Sequence, residues 1–188
     1  MPSKNSFNKS NILKKITQLF FKKGYYATSM QDIVDATGLN RSSIYNTFGS
    51  KLELFTQCFE KCEANYRKEV QKIILVGNSP VKSLTDIFEL SVENTINGQL
   101  TPNYISELKN EEPSIRKLII SQHEYLMDLF FNIVKRGQNL GSINNSKSAK
   151  QYALYLLNAY QGLKIVSHLT EDKNELKNVI HNTISLLE

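Results

Sequence analysis

The stretch TSMQDIVDATGLNRSSIYNTF, Thr28 to Phe48, carries the pattern that decides the fold. Ile33, Val34, Leu39, Ile44 and Phe48 fall where two short helices joined by a sharp turn would touch. Gly38 stands at that turn, where the backbone has to be free to take a positive φ. Thr28 or Ser29 is placed to cap a helix over about Met30 to Thr37, and Asn40 to cap one over about Arg41 to Thr47. The outward positions of the second helix are Arg41, Ser42, Ser43, Asn46 and Thr47. Small, polar or basic side chains there are what a helix needs in order to enter a DNA major groove. The stretch has the layout of a helix-turn-helix.

Upstream, Ile12, Leu13, Ile16, Leu19 and Phe20 follow one helical face, and Gly24 supplies a stop with Tyr25 placed to fold back. Downstream, Ser50 can cap a long fourth helix with the apolar stripe Leu54, Phe55, Phe59, Cys62, Tyr66 and Val70. Ser79-Pro80 opens a fifth helix that buries Val81, Leu84, Ile87, Phe88 and Val92 and ends near Asn97-Gly98. Thr101-Pro102 opens a sixth, short one through Leu108. Pro113 starts a seventh, which carries Ile115 through Val134 and is closed by Gly137. Ser146 is placed to cap the eighth, and Asp172 with Glu175 has the spacing of a capping box for the ninth. The expected fold is all-α, with nine helices and no strand. A head of residues 1–50 is followed by a helical body of residues 51–188.

The net charge of +5 is unevenly spread. Residues 1–51 hold eight lysines and arginines against Asp32 and Asp35, while the remainder holds fifteen basic and sixteen acidic side chains. A basic module on a neutral body is the electrostatic footprint of a phosphate-backbone binder. No apolar run nears the ~18 residues that span a bilayer. The stretch MPSKNSFNKS lacks the apolar core of a signal peptide. The expectation is a soluble, cytoplasmic chain with no membrane partner.

Gly24-Tyr25, Thr28-Ser29, Asp32-Ile33, Gly38-Leu39, Ile44-Tyr45 and Phe48-Gly49-Ser50-Lys51 together resemble, in order and spacing, the N-terminal signature of the TetR family of bacterial transcriptional regulators. The resemblance is specific over about residues 10–60. Beyond that it rests on helix number and on the phrase AYQGL, Ala159 to Leu163. Val34 departs from it, because the family more often has alanine there. Carried over by matched position, the resemblance implies that Arg41, Ser42 and Ser43 read base edges. It implies phosphate contacts by Tyr45, Thr47, Lys51 and Thr28, with Asn46 fit for either task. The backbone N–H groups around Ser50 and Lys51 suit a phosphate as well. Double-stranded operator DNA is the implied partner.

A single helix-turn-helix reads few base pairs, so a homodimer is expected to read two half-sites. Ala153, Leu156, Tyr160, Gly162 and Leu163, with Val179, Thr183 and Leu187, are the candidate interface, unless these stripes close the monomer's own core. The resemblance also implies an effector pocket in the body. Its candidates are Phe59, Cys62, Tyr66, Phe88, Tyr104, His123, Phe130 and Tyr155, and the expected ligand is a small, largely apolar or aromatic molecule. Cys58 and Cys62, four apart on one helical face, have the spacing of a thiol sensor or half a metal site, but they also fit the apolar stripe. The histidines at 123, 168 and 181 show no metal-ligand spacing, and no cofactor or metal is expected. A phosphate loop, a dinucleotide glycine motif, HExxH and GxSxG are all missing, which leaves no catalytic candidates and argues against an enzyme. The expected function is a repressor that a small molecule releases from its operator. A regulator without an effector, or an activator, is the alternative.

Overall fold

The computed structural model describes residues 8–93, 112–170 and 172–188. Eight helices and no strand occur among the described residues. They are α1 (Lys9–Lys23), α2 (Met30–Thr37), α3 (Arg41–Phe48), α4 (Lys51–Val76), α5 (Pro80–Glu93), α6 (Pro113–Asn139), α7 (Ala149–Val166) and α8 (Lys173–Ser185). The short helix expected over Thr101 to Leu108, Tyr104 within it, and the stop expected at Asn97-Gly98 lie outside the described residues.

The helices start where side chains can satisfy the orphan N–H groups of the first turn. Ser29 and Asp32 form a capping box at α2, and Ser50 and Glu53 form one at α4. Asn8, Asn40 and Asp172 cap α1, α3 and α8. Gly38 ends α2 at φ +72°, the left-handed region the turn requires.

Two expected boundaries shift. Ser148, not Ser146, caps α7, because Gln151 three residues on completes a capping box with it. The Ser146 hydroxyl lies instead 2.8 Å from that of Tyr152, in a turn organised around Asn144. Gly137 does not close α6, which runs on to Asn139. A Cβ at Gly137 would lie 2.5 Å from Cδ1 of Ile143, so the glycine is there for close packing against the following turn.

Two apolar cores share the long α4. The head core joins Ile12, Leu13, Ile16 and Phe20 of α1 and Ile33, Ile44 and Phe48 of the two short helices to Leu54, Phe55, Cys58 and Phe59 of α4. Ile115 of α6 reaches into it. The body core begins at Tyr66 and Val70 of α4 and continues through α5, α6, α7 and α8. Twenty-six residues make α4 about 39 Å long at 1.5 Å per residue, enough to run through both.

Candidate nucleic-acid interface

The α3 helix is fixed from behind and open in front. Ile44 and Phe48 are buried, and the Phe48 carbonyl accepts a 2.8 Å hydrogen bond from Nε2 of Gln57. Arg41, Ser42, Tyr45 and Asn46 are exposed, while Ser43 and Thr47 are half-buried. Ser43 also gives its backbone N–H to the Asn40 cap. Tyr45 is 47% exposed, so its ring is not a core element.

The turn ahead of α2 is tied to both neighbouring helices. Lys23 of α1 pairs with Asp32 of α2. That ammonium, with the hydroxyl and N–H of Ser29, holds the Asp32 carboxyl well below the usual range. Thr28 is fully buried and its hydroxyl donates to the Gly24 carbonyl at 2.6 Å. This corrects the expectation of a phosphate contact by its side chain, because that donor faces inward and is occupied. Nζ of Lys51 donates to the Thr28 carbonyl at 2.8 Å and lies 4.4 Å from the centre of the Tyr25 ring. Lys51 is therefore half-buried and braced, not a free cation, and desolvation lowers its pKa. The Ser50 N–H is likewise taken, by the Glu53 carboxylate at 2.7 Å, and so is not open to a phosphate. Glu53 was legible, since Ser50-x-x-Glu53 is a capping-box spacing.

The described pocket candidates divide between the body core, which holds Tyr66, Phe88 and Phe130, the head core and the surface. Phe88 and Phe130 are fully buried and pack edge-on or tilted against each other and Tyr160, as core aromatics do. Phe59 belongs to the head core. His123 and Tyr155 are exposed on the outer faces of α6 and α7. Of the described candidates, Cys62 and Tyr66 border a cleft of about 530 Å³ between α1, α4, α5 and the end of α7. Burial pushes the Cys58 thiol up to about 12 and that of Cys62 to about 11, the wrong direction for a reactive thiolate.

The interface candidates on the last two helices divide by face. Ala153, Leu156, Tyr160, Leu163, Thr183 and Leu187 are buried in the monomer's own core. They are corrected to core residues, because α7 and α8 turn this stripe onto α5, α6 and each other. Gly162 and Val179 do face outward. The exposed apolar side chains that accompany them are Leu154, Tyr155, Ile165, Leu169 and Leu186.

Sequence reasoning missed a buried polar set. Glu63 of α4 is 7% exposed and accepts a 2.6 Å hydrogen bond from Nε2 of Gln122 of α6. Nε of Arg67 lies 4.0 Å from its other oxygen, and the Arg67 guanidinium sits 4.1 Å from the centre of the Tyr125 ring. Desolvation raises Glu63 to about 7. Lys164 of α7 is 6% exposed and burial lowers it to about 7, against the field of Glu63. The signal was there: Glu63 is four residues after Phe59, Lys164 four after Tyr160, and Gln122 four before Leu126, each on an inward stripe.

A family model described as bacterial regulatory proteins, tetR family, matches residues 12–58. The chain is 23% identical to the uncharacterized HTH-type transcriptional regulator YezE of Bacillus subtilis over all of both chains. It is 26% identical to the HTH-type transcriptional repressor DhaR of a Mycobacterium species, over 82% of this chain and 79% of that one. Its fold superposes with a TM-score of 0.84, over 100% of both chains and at 15% identity, on a cysteine mutant of the TetR family regulator CifR complexed with 26-base-pair operator DNA. The exposed face of α3 on a buried anchor, the matched head and the shared all-helical fold agree: residues 12–58 match the tetR family of bacterial regulatory proteins, and the whole chain has the fold of TetR family transcriptional regulators.

Proposed function

We propose that the chain is a dimeric repressor that reads double-stranded operator DNA with α3 and leaves it when a small molecule binds the body. The observation that carries the reading is the outward row of Arg41, Ser42, Tyr45 and Asn46 on a helix locked by Ile44 and Phe48. Arg41 and Ser42, with Ser43 beside them, are assigned to base edges, and Tyr45 and Thr47 to phosphates. Asn46 serves either. Lys51 acts by holding the turn ahead of α2 and by its positive charge near the backbone. The likeness to DhaR, named a repressor, and to CifR on operator DNA supports the reading as a repressor acting on operator DNA.

The dimer surface is assigned to the outer face of α7 and α8. Leu154, Tyr155, Ile165 and Val179 are exposed there, with Leu169 and Leu186 just past the helix ends, and a Cβ placed on Gly162 would meet no atom within 4 Å beyond its own stretch of helix. Apolar side chains in that number on two adjacent helices mark a protein contact. No described helix is long and apolar enough to cross a membrane, which accords with action in the cytoplasm.

Selection of bound fragments from the source genome tests the reading. Recovery of an inverted repeat whose half-sites lie about 34 Å apart or a multiple of that is expected. Absence of enrichment would overturn DNA recognition, and a site without two-fold symmetry would overturn the dimer. A reporter driven by the recovered site is expected to rise when the regulator's gene is deleted. A fall would make the chain an activator.

A further inference from the structure

The outer face of α7 carries no charge. From Gln151 to Val166 the helix has one charged residue, Lys164, and that one is buried. The exposed side chains over this stretch are Gln151, Leu154, Tyr155, Asn158 and Ile165, with Gly162 bare among them. At about 100° per residue, Leu154, Asn158, Gly162 and Ile165 fall within an arc of roughly 80°. Loss of charge with retention of apolar side chains marks the centre of a protein contact. Such a surface fits a second copy of this chain, which presents the same uncharged row.

Asn158 interrupts that row at its middle. It stands between Leu154, one turn before, and Gly162, one turn after, at the midpoint of the helix. Its Nδ2 donates to the Leu154 carbonyl on its own helix at 2.8 Å, so Oδ1 is the atom that a covering surface must supply with a donor. A surface without one would bury it unpaired, which costs roughly tenfold or more in affinity. A Cβ on Gly162 would meet no atom within 4 Å beyond its own stretch of helix, which leaves a low point beside the amide. Leucine and isoleucine side chains alone tolerate sliding, whereas one polar group in an apolar helix contact fixes register at some cost in stability.

We propose that Asn158 sets the register of the homodimer, its Oδ1 accepting from an amide N–H of the second copy that one alignment of the two surfaces supplies. The same face carries such donors at Gln151, Asn158 and Asn182. The proposal rests on the reading of the outer face of α7 and α8 as the dimer surface. Its consequence reaches the DNA. A slip of one helical turn shifts the copies by about 5.4 Å, more than the ~3.4 Å rise of one base pair. The two reading helices would then no longer match the half-site spacing of a single operator. Asn158 thus contributes to operator choice from the body, without touching the operator.

Sedimentation equilibrium and electron-spin distance measurements on the full chain test the proposal. A spin label at Lys177→Cys, exposed and off the outer row of α8, reports the separation of the two copies, while Cys58 and Cys62 are buried. One narrow distance is expected with Asn158 in place. Asn158→Leu is expected to dimerise at least as tightly and to show a second or broadened distance. Asn158→Asp, of the same size but charged and acceptor-only, is expected to weaken the dimer by about tenfold or more. Asn158 is exposed in the chain itself, so both variants keep the fold. A single unchanged distance in Asn158→Leu overturns the proposal, and so does a weaker dimer in that variant, which would make the residue a source of affinity. Undiminished dimerisation of Asn158→Asp overturns it too, because the side chain is then not covered. In each of those cases the dimer reading stands. A labelled chain with Asn158 in place that stays monomeric at micromolar protein overturns the dimer reading, and the proposal with it.

Discussion

Nζ of Lys51, the first residue of α4, donates to the backbone carbonyl of Thr28, just ahead of α2, across 2.8 Å. This bond joins the helix that leaves the head to the turn that starts the reading motif. A lysine matched to a phosphate contact in the family pattern is thus also an internal brace.

Lys51→Met is therefore expected to do two things at once. It removes a part-buried charged donor, so the melting temperature falls by an amount corresponding to about 1 kcal/mol. It also lowers the slope of log affinity against log salt by up to about one unit, since one cation is lost near the backbone. An unchanged melting temperature would remove the brace, and an unchanged salt slope would remove the phosphate role.

Thr28→Val keeps the volume of a fully buried side chain and deletes the hydroxyl that bonds Gly24. A loss of about 1 kcal/mol in stability is expected, with no change in the salt dependence of DNA binding. A smaller salt slope in this variant would restore the hydroxyl as a phosphate donor.

Arg41→Ala alters an exposed side chain at the first position of α3 and is expected to leave the melting curve in place. Discrimination against one wrong base pair of the operator is expected to fall by about 1–3 kcal/mol, as measured with single-substitution operators. Uniform weakening across all of those operators would move Arg41 to the backbone instead.

Stability is expected to pass through a shallow minimum near neutral pH. The folded chain holds the Glu63 proton up to about 7, whereas an unburied glutamate gives it up near 4.5. The stability this group contributes is present in acid and is lost as pH rises through 7. Lys164 acts oppositely: its folded form sheds a proton near 7 instead of 10.5, so stability returns as pH rises above 7. Thermal melts from pH 5 to 9 check the shape, and Glu63→Gln is expected to flatten the acid limb. A limb that survives in this variant belongs to some other group.

Ile165→Glu places a charge on the outer face of α7, where the side chain is 45% exposed. It is expected to yield folded monomers in sedimentation at micromolar protein. Leu156→Ala, one helical face away and fully buried, is expected to cost about 2–5 kcal/mol of fold stability instead. A dimer that persists in Ile165→Glu would place the contact elsewhere.

The reading motif was legible because each of its demands is local. Gly38 at the turn, Asn40 at the cap, and Ile44 and Phe48 at helical spacing each satisfy a need met within a few residues. The body was legible as helices but not as surfaces. The stripe of Leu156, Tyr160 and Leu163 says that one face of α7 is covered, and does not say whether by the same chain or by a second copy. The covering proved to be internal, and the sparser row of Leu154, Tyr155 and Ile165 was left outside. Thr28 shows another limit. Position in a family pattern implies a role, while a hydroxyl turned inward onto Gly24 depends on how the turn folds in three dimensions.

The double use of α4 governs how the two parts of the chain can be exchanged. A chimaera joined at residue 50 would leave Leu54, Phe55, Cys58 and Phe59 behind and give the transplanted head an open apolar face. A junction beyond Phe59 carries those side chains along, and the recipient body must then match the contacts that Ile115, Leu118 and Ile119 make with the head core. Modularity in this molecule is therefore set by a helix's packing register rather than by a linker, and the workable seam lies inside an unbroken helix.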